Sequence, residues 1–296
     1  MSTWMLRAIA SAAALLSWKG VRRLGAFLGT VWYRLVRIRR GVVRDNLRLG
    51  LPGRAADHDR IALGCYRHLC ISTLELLKMR RMSPERVLSL VRHRGLEHYE
   101  RAAARGRGVI AVTAHVGNFD LLACSQALRG VELGIVSRKL HESGSNRFWM
   151  ETRAATGLAI FSDRGSLKEL LRWLRDGRAL GLVVDQRTPA ERGGLLVPFL
   201  EEPAWTTSTP AALALRTGAA LVPVRARRLE DGSHEVRVEP EIPLPERRGA
   251  DEVARLTARI NEIVSCWIRE TPEQWMWLHR RFAGVPRGEP GGETRP

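Results

Sequence analysis

The sequence predicts an α/β fold, with a largely parallel central sheet flanked by helices and an N-terminal membrane-associated helical segment. Three observations carry this expectation. Short apolar, β-like runs alternate with helix-like stretches between about residues 109 and 224. The first of these runs ends on a histidine and restarts as a helix, and residues 1–44 hold nine Lys or Arg and no acid, within a net charge of +17. Strand and helix in alternation place parallel strands in one layer with helices on both faces.

In chain order, the basic residues Arg7, Lys19, Arg22, Arg23, Arg34, Arg37, Arg39, Arg40 and Arg44 interleave with two apolar patches, Ala8 to Leu16 and Leu24 to Tyr33. Trp4, Trp18 and Trp32 are spaced to fall on nearly one side of helices. Tryptophan favours the membrane interface, and each basic residue near an anionic leaflet contributes about 1 kcal/mol. Neither patch reaches the roughly 20 apolar residues of a spanning helix. Ser17-Trp-Lys19 offers no small-x-small cleavage site after the first patch. Residues 1–40 are therefore expected to form a cytoplasm-facing anchor on an anionic membrane surface, with a short tilted span and a plain soluble helix as the alternatives. Nucleic acid is disfavoured as a partner, because the charge tracks tryptophan and Ala-Leu patches and no nucleic-acid module is recognisable.

Ile61, Cys65, Leu69, Leu76 and Leu77 recur at helical spacing, so Ile61 to Lys78 reads as an amphipathic helix. Ser83-Pro84 supplies a cap and a first helical residue. Val109 to Ala114 is a buried strand, followed by a helix capped by Gly117 or Asn118. Further strands are expected at Leu133 to Val136, Ala159 to Phe161, Ala179 to Val184 and Ala220 to Val224, with helices centred on Phe148, Leu171 and Leu213. Ala250 to Glu270 is a long helix. Residues 41–283 form the main domain, and 284–296, rich in Gly and Pro, a loose tail. Cys65, Cys70, Cys124 and Cys266 form no C-x-x-C pair and read as small core residues rather than metal ligands.

His115 falls at a strand's C-terminal end, where open α/β sheets bind ligands. Asp120 lies in the first turn of the next helix. Five residues apart on a continuous helix they would diverge by about 140°, so the backbone must turn at Val116-Gly117 for the two side chains to meet. Once they meet, the carboxylate accepts the proton of one ring nitrogen and frees the other as a base. A lone H-x4-D spacing also recurs by chance, and a histidine ending a strand is most often merely packed. Absent motifs narrow the chemistry. The sequence holds no G-x-S-x-G elbow, P-loop, G-x-G-x-x-G, H-E-x-x-H or zinc spacing, which disfavours serine hydrolases, nucleotide-driven reactions and common metalloenzymes.

The stretch His115-Val-Gly-Asn-Phe-Asp-Leu-Leu122 resembles the signature of the lipid A biosynthesis (lauroyl/myristoyl) acyltransferases, within the wider lysophospholipid acyltransferase superfamily. Further blocks agree in order and spacing: Arg39 to Pro52, Val136-Ser-Arg-Lys139, Asp185-Gln186, Val197-Pro-Phe199 with Thr206 to Thr209, and Pro272 to Phe282. The likeness runs from about Val21 to Phe282. One position departs, since late lipid A acyltransferases usually carry Glu where this chain has Asp120, and Asp is usual in the glycerolipid branch.

The resemblance implies an O-acyltransferase that moves a fatty acyl chain from acyl carrier protein to a hydroxyl of a lipid A precursor. It implies a ternary route without an acyl-enzyme, with His115 and Asp120 catalytic, no metal and no cofactor, at the cytoplasmic face of the inner membrane. Asn118, Arg138, Arg153, Arg164, Asp185, Gln186 and Thr207 are the expected substrate-binding residues. Arg138 follows a strand at the position of an arginine in the matching block, where a guanidinium can fork onto phosphate. Asp185 and Gln186 end another strand. Arg153 and Arg164 extend a basic lining, although a pairing with a nearby acid would also account for either. Thr206, Thr207 and Thr209 cap the next helix. Trp275, Trp277 and His279 read as core and closure. His58, His68, His93, His98, His141 and His234 lack acidic partners at telling positions and receive no role. Two alternatives stay open: acyl-CoA-dependent acylation of another phosphoglycolipid or glycerolipid, and a non-catalytic lipid-binding protein on the same fold.

Overall fold

The computed structural model of the chain describes residues 3–137 and 144–286. Its centre is a seven-stranded sheet of β1 (Val91–Arg94), β9 (His234–Val238), β8 (Ala220–Arg228), β2 (Val109–Thr113), β5 (Ala179–Val183), β3 (Leu133–Ser137) and β4 (Ala159–Ser162), in that spatial order. Every neighbouring pair is parallel except β8 with β9. The sheet is thus mostly parallel, as expected. Its central strands are apolar runs because both faces are covered. Helices α6 (Leu96–Ala103) and α7 (Phe119–Leu128) touch the sheet strands, as does α9 (Leu167–Arg175). Apolar clusters lie on either side: one gathers Ile110, Val112, Leu180, Leu182 and Leu221, the other Val109, Ala179, Val222 and Val224.

The four expected later strands occur, and the helices expected around Phe148, Leu171 and Leu213 are α8 (Gly144–Ala154), α9 and α10 (Thr209–Thr217). The last long helix, α11, spans Ala250–Glu270 as read from the sequence. Four strands were not anticipated. Edge strand β1 and its neighbour β9 are Val-Arg-His-Arg and His-Glu-Val-Arg-Val, too charged to read as buried strands. A separate antiparallel hairpin, β6 (Gly194–Phe199) with β7 (Glu202–Thr207), carries Pro198 opposite Pro203. Prolines there interrupt the usual strand signal.

At the N-terminus, α1 (Thr3–Leu15) and α2 (Trp18–Val31) lie on the long helix α4 (His58–Met79). Gly25 and Gly29 make that approach possible, since a side chain at either would overlap the α4 backbone at Ile71 or Arg67. Among the described residues, no helix is long and apolar enough to cross a membrane. Of the three tryptophans, the Trp4 side chain lies outside what is described, and the other two are engaged inward: Trp18 donates its indole N–H to the Gly232 carbonyl (2.8 Å), and Trp32 packs edge-on against Tyr66. The outward residues are instead Leu15, Phe27, Leu35, Val36 and Ile38, each more than half exposed. Cys65 and Cys124 are buried, but Cys70 is only partly covered and Cys266 is exposed, so the core reading fails for Cys266. Most of the tail, residues 287–296, lies outside the described residues, as do Arg138 and His141.

Candidate active site

Strand β2 ends at Thr113 and delivers His115 just beyond it, after Ala114. The next strand, β5, pairs with β2 in parallel register, Thr113 beside Val183, and Val184 N–H donates to the Thr113 carbonyl (3.0 Å). Continued by two residues, that register sets Asp185 beside His115. Nδ1 of His115 lies 2.8 Å from Asp185 Oδ1, and the backbone N–H of His115 donates to Oδ2 (2.9 Å). The indole N–H of Trp275 donates to the same Oδ2 (2.6 Å). Burial pushes the Asp185 carboxyl upward, but the His115 ring and these donors outweigh it and hold it at about 2. An ionised carboxylate accepts only, so Nδ1 donates to it, and Nε2 is the ring nitrogen left for the cavity.

The expected contact between His115 and Asp120 is therefore replaced by one with Asp185. Gly117 makes the turn in a left-handed conformation (φ 62°), with its Cα against the Ala226 carbonyl. Asn118 then caps α7, and the Phe119 ring, rather than the Asp120 carboxylate, meets the imidazole edge-on at 4.6 Å. Asp120 turns to Arg153 on α8, at 2.6 Å and 2.7 Å from two guanidinium nitrogens. Both groups line the same cavity as His115.

That cavity has a volume of about 630 Å³ and opens at the C-terminal ends of the parallel strands. Its polar portion includes His115, Asp120, Arg153, Gln186, Arg187 and Thr207. The remainder is mainly apolar, with Leu96, Leu122, Leu133, Ile135, Leu182 and Val224 among the lining residues. Gln186 brings its side-chain nitrogen to 3.4 Å from His115 Nε2, where an incoming hydroxyl would also bind.

The expected binding residues divide. Arg153, Gln186 and Thr207 line the cavity; Thr207 also exchanges a hydroxyl bond with Thr209 (3.0 Å). Asp185 is not part of the lining, since its oxygens are spent on His115 and Trp275. Asn118 does not face the cavity. Its Oδ1 accepts from Leu121 N–H and its amide nitrogen donates to Glu75, which leaves the side chain 2% exposed. Arg164 is exposed and is not part of the lining. Arg138 falls outside the described residues. Of the threonines expected to cap α10, Thr206 is buried and accepts from Asn261 and Arg281, while Thr207 Oγ1 accepts from Thr209 N–H. His279 is structural, as expected: Arg187 N–H donates to its Nε2 (2.9 Å), and burial lowers its pKa to about 4.

Trp275 is the site residue that sequence reasoning placed in the core alone. It is fully buried and packs edge-on against Trp277, but its N–H serves Asp185. A buried tryptophan needs a partner for that N–H, which is the one signal that pointed to a polar neighbour. Around it, Val116 bridges to Trp275 and Met276 N–H donates to the His115 carbonyl (3.2 Å), so the C-terminal block closes over the catalytic strand end. Among the described residues, no cluster of His, Cys, Asp and Glu has the geometry to hold a metal ion.

Comparison with known proteins bears on the family. The family model for bacterial lipid A biosynthesis acyltransferase matches residues 1–283. The chain is 27% identical over 303 residues to the lipid A biosynthesis lauroyltransferase of Escherichia coli, across 97% of this chain and 93% of that protein. It is 26% identical over 274 residues to the lipid A biosynthesis palmitoleoyltransferase of the same organism, across 90% and 86%. A phosphatidylinositol mannoside acyltransferase of Mycobacterium tuberculosis is 29% identical over 133 residues, 44% of this chain and 42% of that protein.

Proposed function

Because this chain belongs to the bacterial lipid A biosynthesis acyltransferase family, we propose that it transfers a fatty acyl chain from acyl carrier protein to a hydroxyl of a lipid A precursor, with His115 as general base. The observation that carries this reading is the placement of the His115 ring: Nδ1 lies 2.8 Å from Asp185 Oδ1, and the ring lines the cavity, which leaves Nε2 to accept. Nε2 takes the hydroxyl proton as the acceptor oxygen attacks the thioester carbonyl. The tetrahedral oxyanion then collapses, the carbon–sulfur bond breaks, and the imidazolium returns its proton to the departing thiolate. Asp185 keeps the tautomer and stabilises the imidazolium between these steps, as a buried carboxylate does in other His-based catalysts.

The rest of the cavity suits the substrates. Its apolar lining fits an acyl chain, and Arg153, held in place by Asp120, presents a guanidinium that can share itself with a lipid phosphate. Outside the cavity, the exposed side chains of α2 and the following turn, Phe27, Leu35, Val36 and Ile38, lie among Arg34, Arg37 and Arg39. Such a mixture suits a peripheral position on an anionic inner-membrane surface. His115→Ala tests the base directly. With acyl carrier protein as donor and product followed by lipid mass spectrometry, the rate should fall about 10²–10⁴-fold while circular dichroism is unchanged. An unimpaired rate would remove the mechanism.

A second acceptor reading has its own support in Asp120, which stands where late lipid A enzymes usually carry Glu, and in the partial likeness to a phosphatidylinositol mannoside acyltransferase. Under it the same chemistry acylates another phosphoglycolipid, from the carrier or from acyl-CoA. Lipid profiles of a host with and without the gene separate the two by which lipid loses a chain.

A further inference from the structure

Behind the turn that carries His115 lies a buried charged cluster which does not line the cavity. His68, Ser72 and Glu75 follow one another at helical spacing on α4 and so share one face. Arg228, at the end of β8, enters between them. Its guanidinium donates to both Glu75 oxygens (2.6 Å and 2.9 Å), to the Ser72 hydroxyl (2.8 Å) and to His68 Nδ1 (2.6 Å). His234, at the start of β9, stands 3.4 Å from Glu75. Glu75 and His234 are each 1% exposed and His68 is 4% exposed.

The cluster ends on the catalytic turn at two points. His68 Nε2 meets the Gly117 carbonyl (3.1 Å), and Glu75 accepts from the Asn118 amide (2.9 Å). Burial and the Arg228 charge hold His68 at about 3, so the ring is neutral. With Nδ1 accepting from Arg228, its one proton sits on Nε2 and is directed at Gly117. Burial pushes the Glu75 carboxyl upward, but Arg228 and His234 outweigh it and keep it ionised. Gln274 completes the clamp. Its side chain brackets the backbone of Arg228, accepting from the N–H (2.8 Å) and donating to the carbonyl (3.0 Å), while its own carbonyl accepts from Gly117 N–H (2.9 Å).

We propose that Glu75, Arg228 and His68 are positioning residues for acyl transfer: they fix Gly117 and Asn118 so that the turn holds His115 against Asp185 with Nε2 in the cavity. Apolar side chains could fill this space, but they would not dictate where a carbonyl and an amide two and three residues from the base must point. Directional bonds do so, each partner being oriented by the next. The inference rests on His115 as the base, and it assigns none of the three a contact with substrate.

The experiment measures kcat, acceptor KM and melting temperature in two sets of variants, beside His115→Ala. His68→Gln retains an amide N–H able to reach the Gly117 carbonyl; His68→Leu does not. The expected result is a kcat reduced ten- to a hundredfold in His68→Leu and largely recovered in His68→Gln, with KM within twofold of wild type in both and similar melting temperatures. Glu75→Gln combined with Arg228→Gln removes both charges together, which avoids stranding one in the interior. It should likewise lower kcat by tenfold or more at nearly constant KM. Wild-type kcat in His68→Leu, or equal losses in His68→Leu and His68→Gln that track melting temperature, would overturn the proposal; the His68 pair decides if the double variant fails to fold. If His115→Ala itself keeps full activity, the base assignment falls and takes this inference with it. If His115→Ala is inactive and His68→Leu is not, only the positioning role falls.

Discussion

Two carboxylates stand at one cavity, Asp185 behind one wall and Asp120 in another, and their surroundings treat them in opposite ways. On the β5 side, Asp185 is 2% exposed, receives two N–H donors on one oxygen and meets the His115 ring with the other. On the α7 side, Asp120 remains partly accessible and, among the described residues, shares its charge with one arginine on a separate helix. The first arrangement fixes a proton on one ring nitrogen. The second neutralises and steers a guanidinium that remains open to a ligand. Burial and donor count, rather than spacing along the chain, decide which acid serves the base.

Asp185→Asn should separate the walls most. It preserves shape but removes the charge that selects the tautomer, so kcat should fall by about 10³–10⁴-fold. Stability should change as well. The folded carboxyl at about 2 lies below the ordinary 3.8, so its contribution is full above the ordinary value and is lost as pH falls through about 2. Acid unfolding of wild type should therefore show an Asp185-dependent loss across that interval that the Asn variant lacks, as read by circular dichroism.

Trp275→Phe tests the same wall more gently. It keeps the ring packing and removes one donor to a charged acceptor, which should cost about 1.5–3 kcal/mol of stability and about tenfold in kcat. An unchanged kcat with lowered stability would make the indole a core residue only.

On the opposite wall, Asp120→Asn and Arg153→Lys should act mainly on acceptor KM, raising it several-fold, because Lys loses the planar fork and Asn no longer steers it. A fall in kcat as large as that of Asp185→Asn, with KM unmoved, would erase the distinction and give Asp120 a share of the base once substrate is bound.

The smallest effect on chemistry should come from neither wall. Replacing Phe27 and Leu35 by Ser removes exposed apolar area from α2 and the following turn and should weaken sedimentation with anionic vesicles several-fold. Turnover of a detergent-dispersed acceptor should stay within twofold. Undiminished vesicle binding would place the membrane contact elsewhere.

Much of this was legible in the sequence, and the limits have physical causes. The run from Val109 into the helix after Asn118 is local: an apolar strand, a glycine able to turn at positive φ and an Asx cap all announce themselves within ten residues. The same locality led to the wrong partner for His115. Asp120 is near in sequence, whereas Asp185 is near through strand register, and no local pattern shows that β2 lies beside β5. Asn118 illustrates the converse. Its cap was readable, but its second bond goes to Glu75, 43 residues away on α4. Strands β1 and β9 escaped notice because their charges find partners only in three dimensions, as Glu235 does with Arg94 and Arg227.

Helix α4 has two occupied faces. At Tyr66, Arg67 and Ile71 its backbone lies directly against the glycines of α2; at His68 and Glu75 it holds Gly117 and Asn118 of the turn after His115. The two sets of residues interleave within ten residues of one helix. A displacement of α2 would therefore be carried by the same segment that holds the turn after His115.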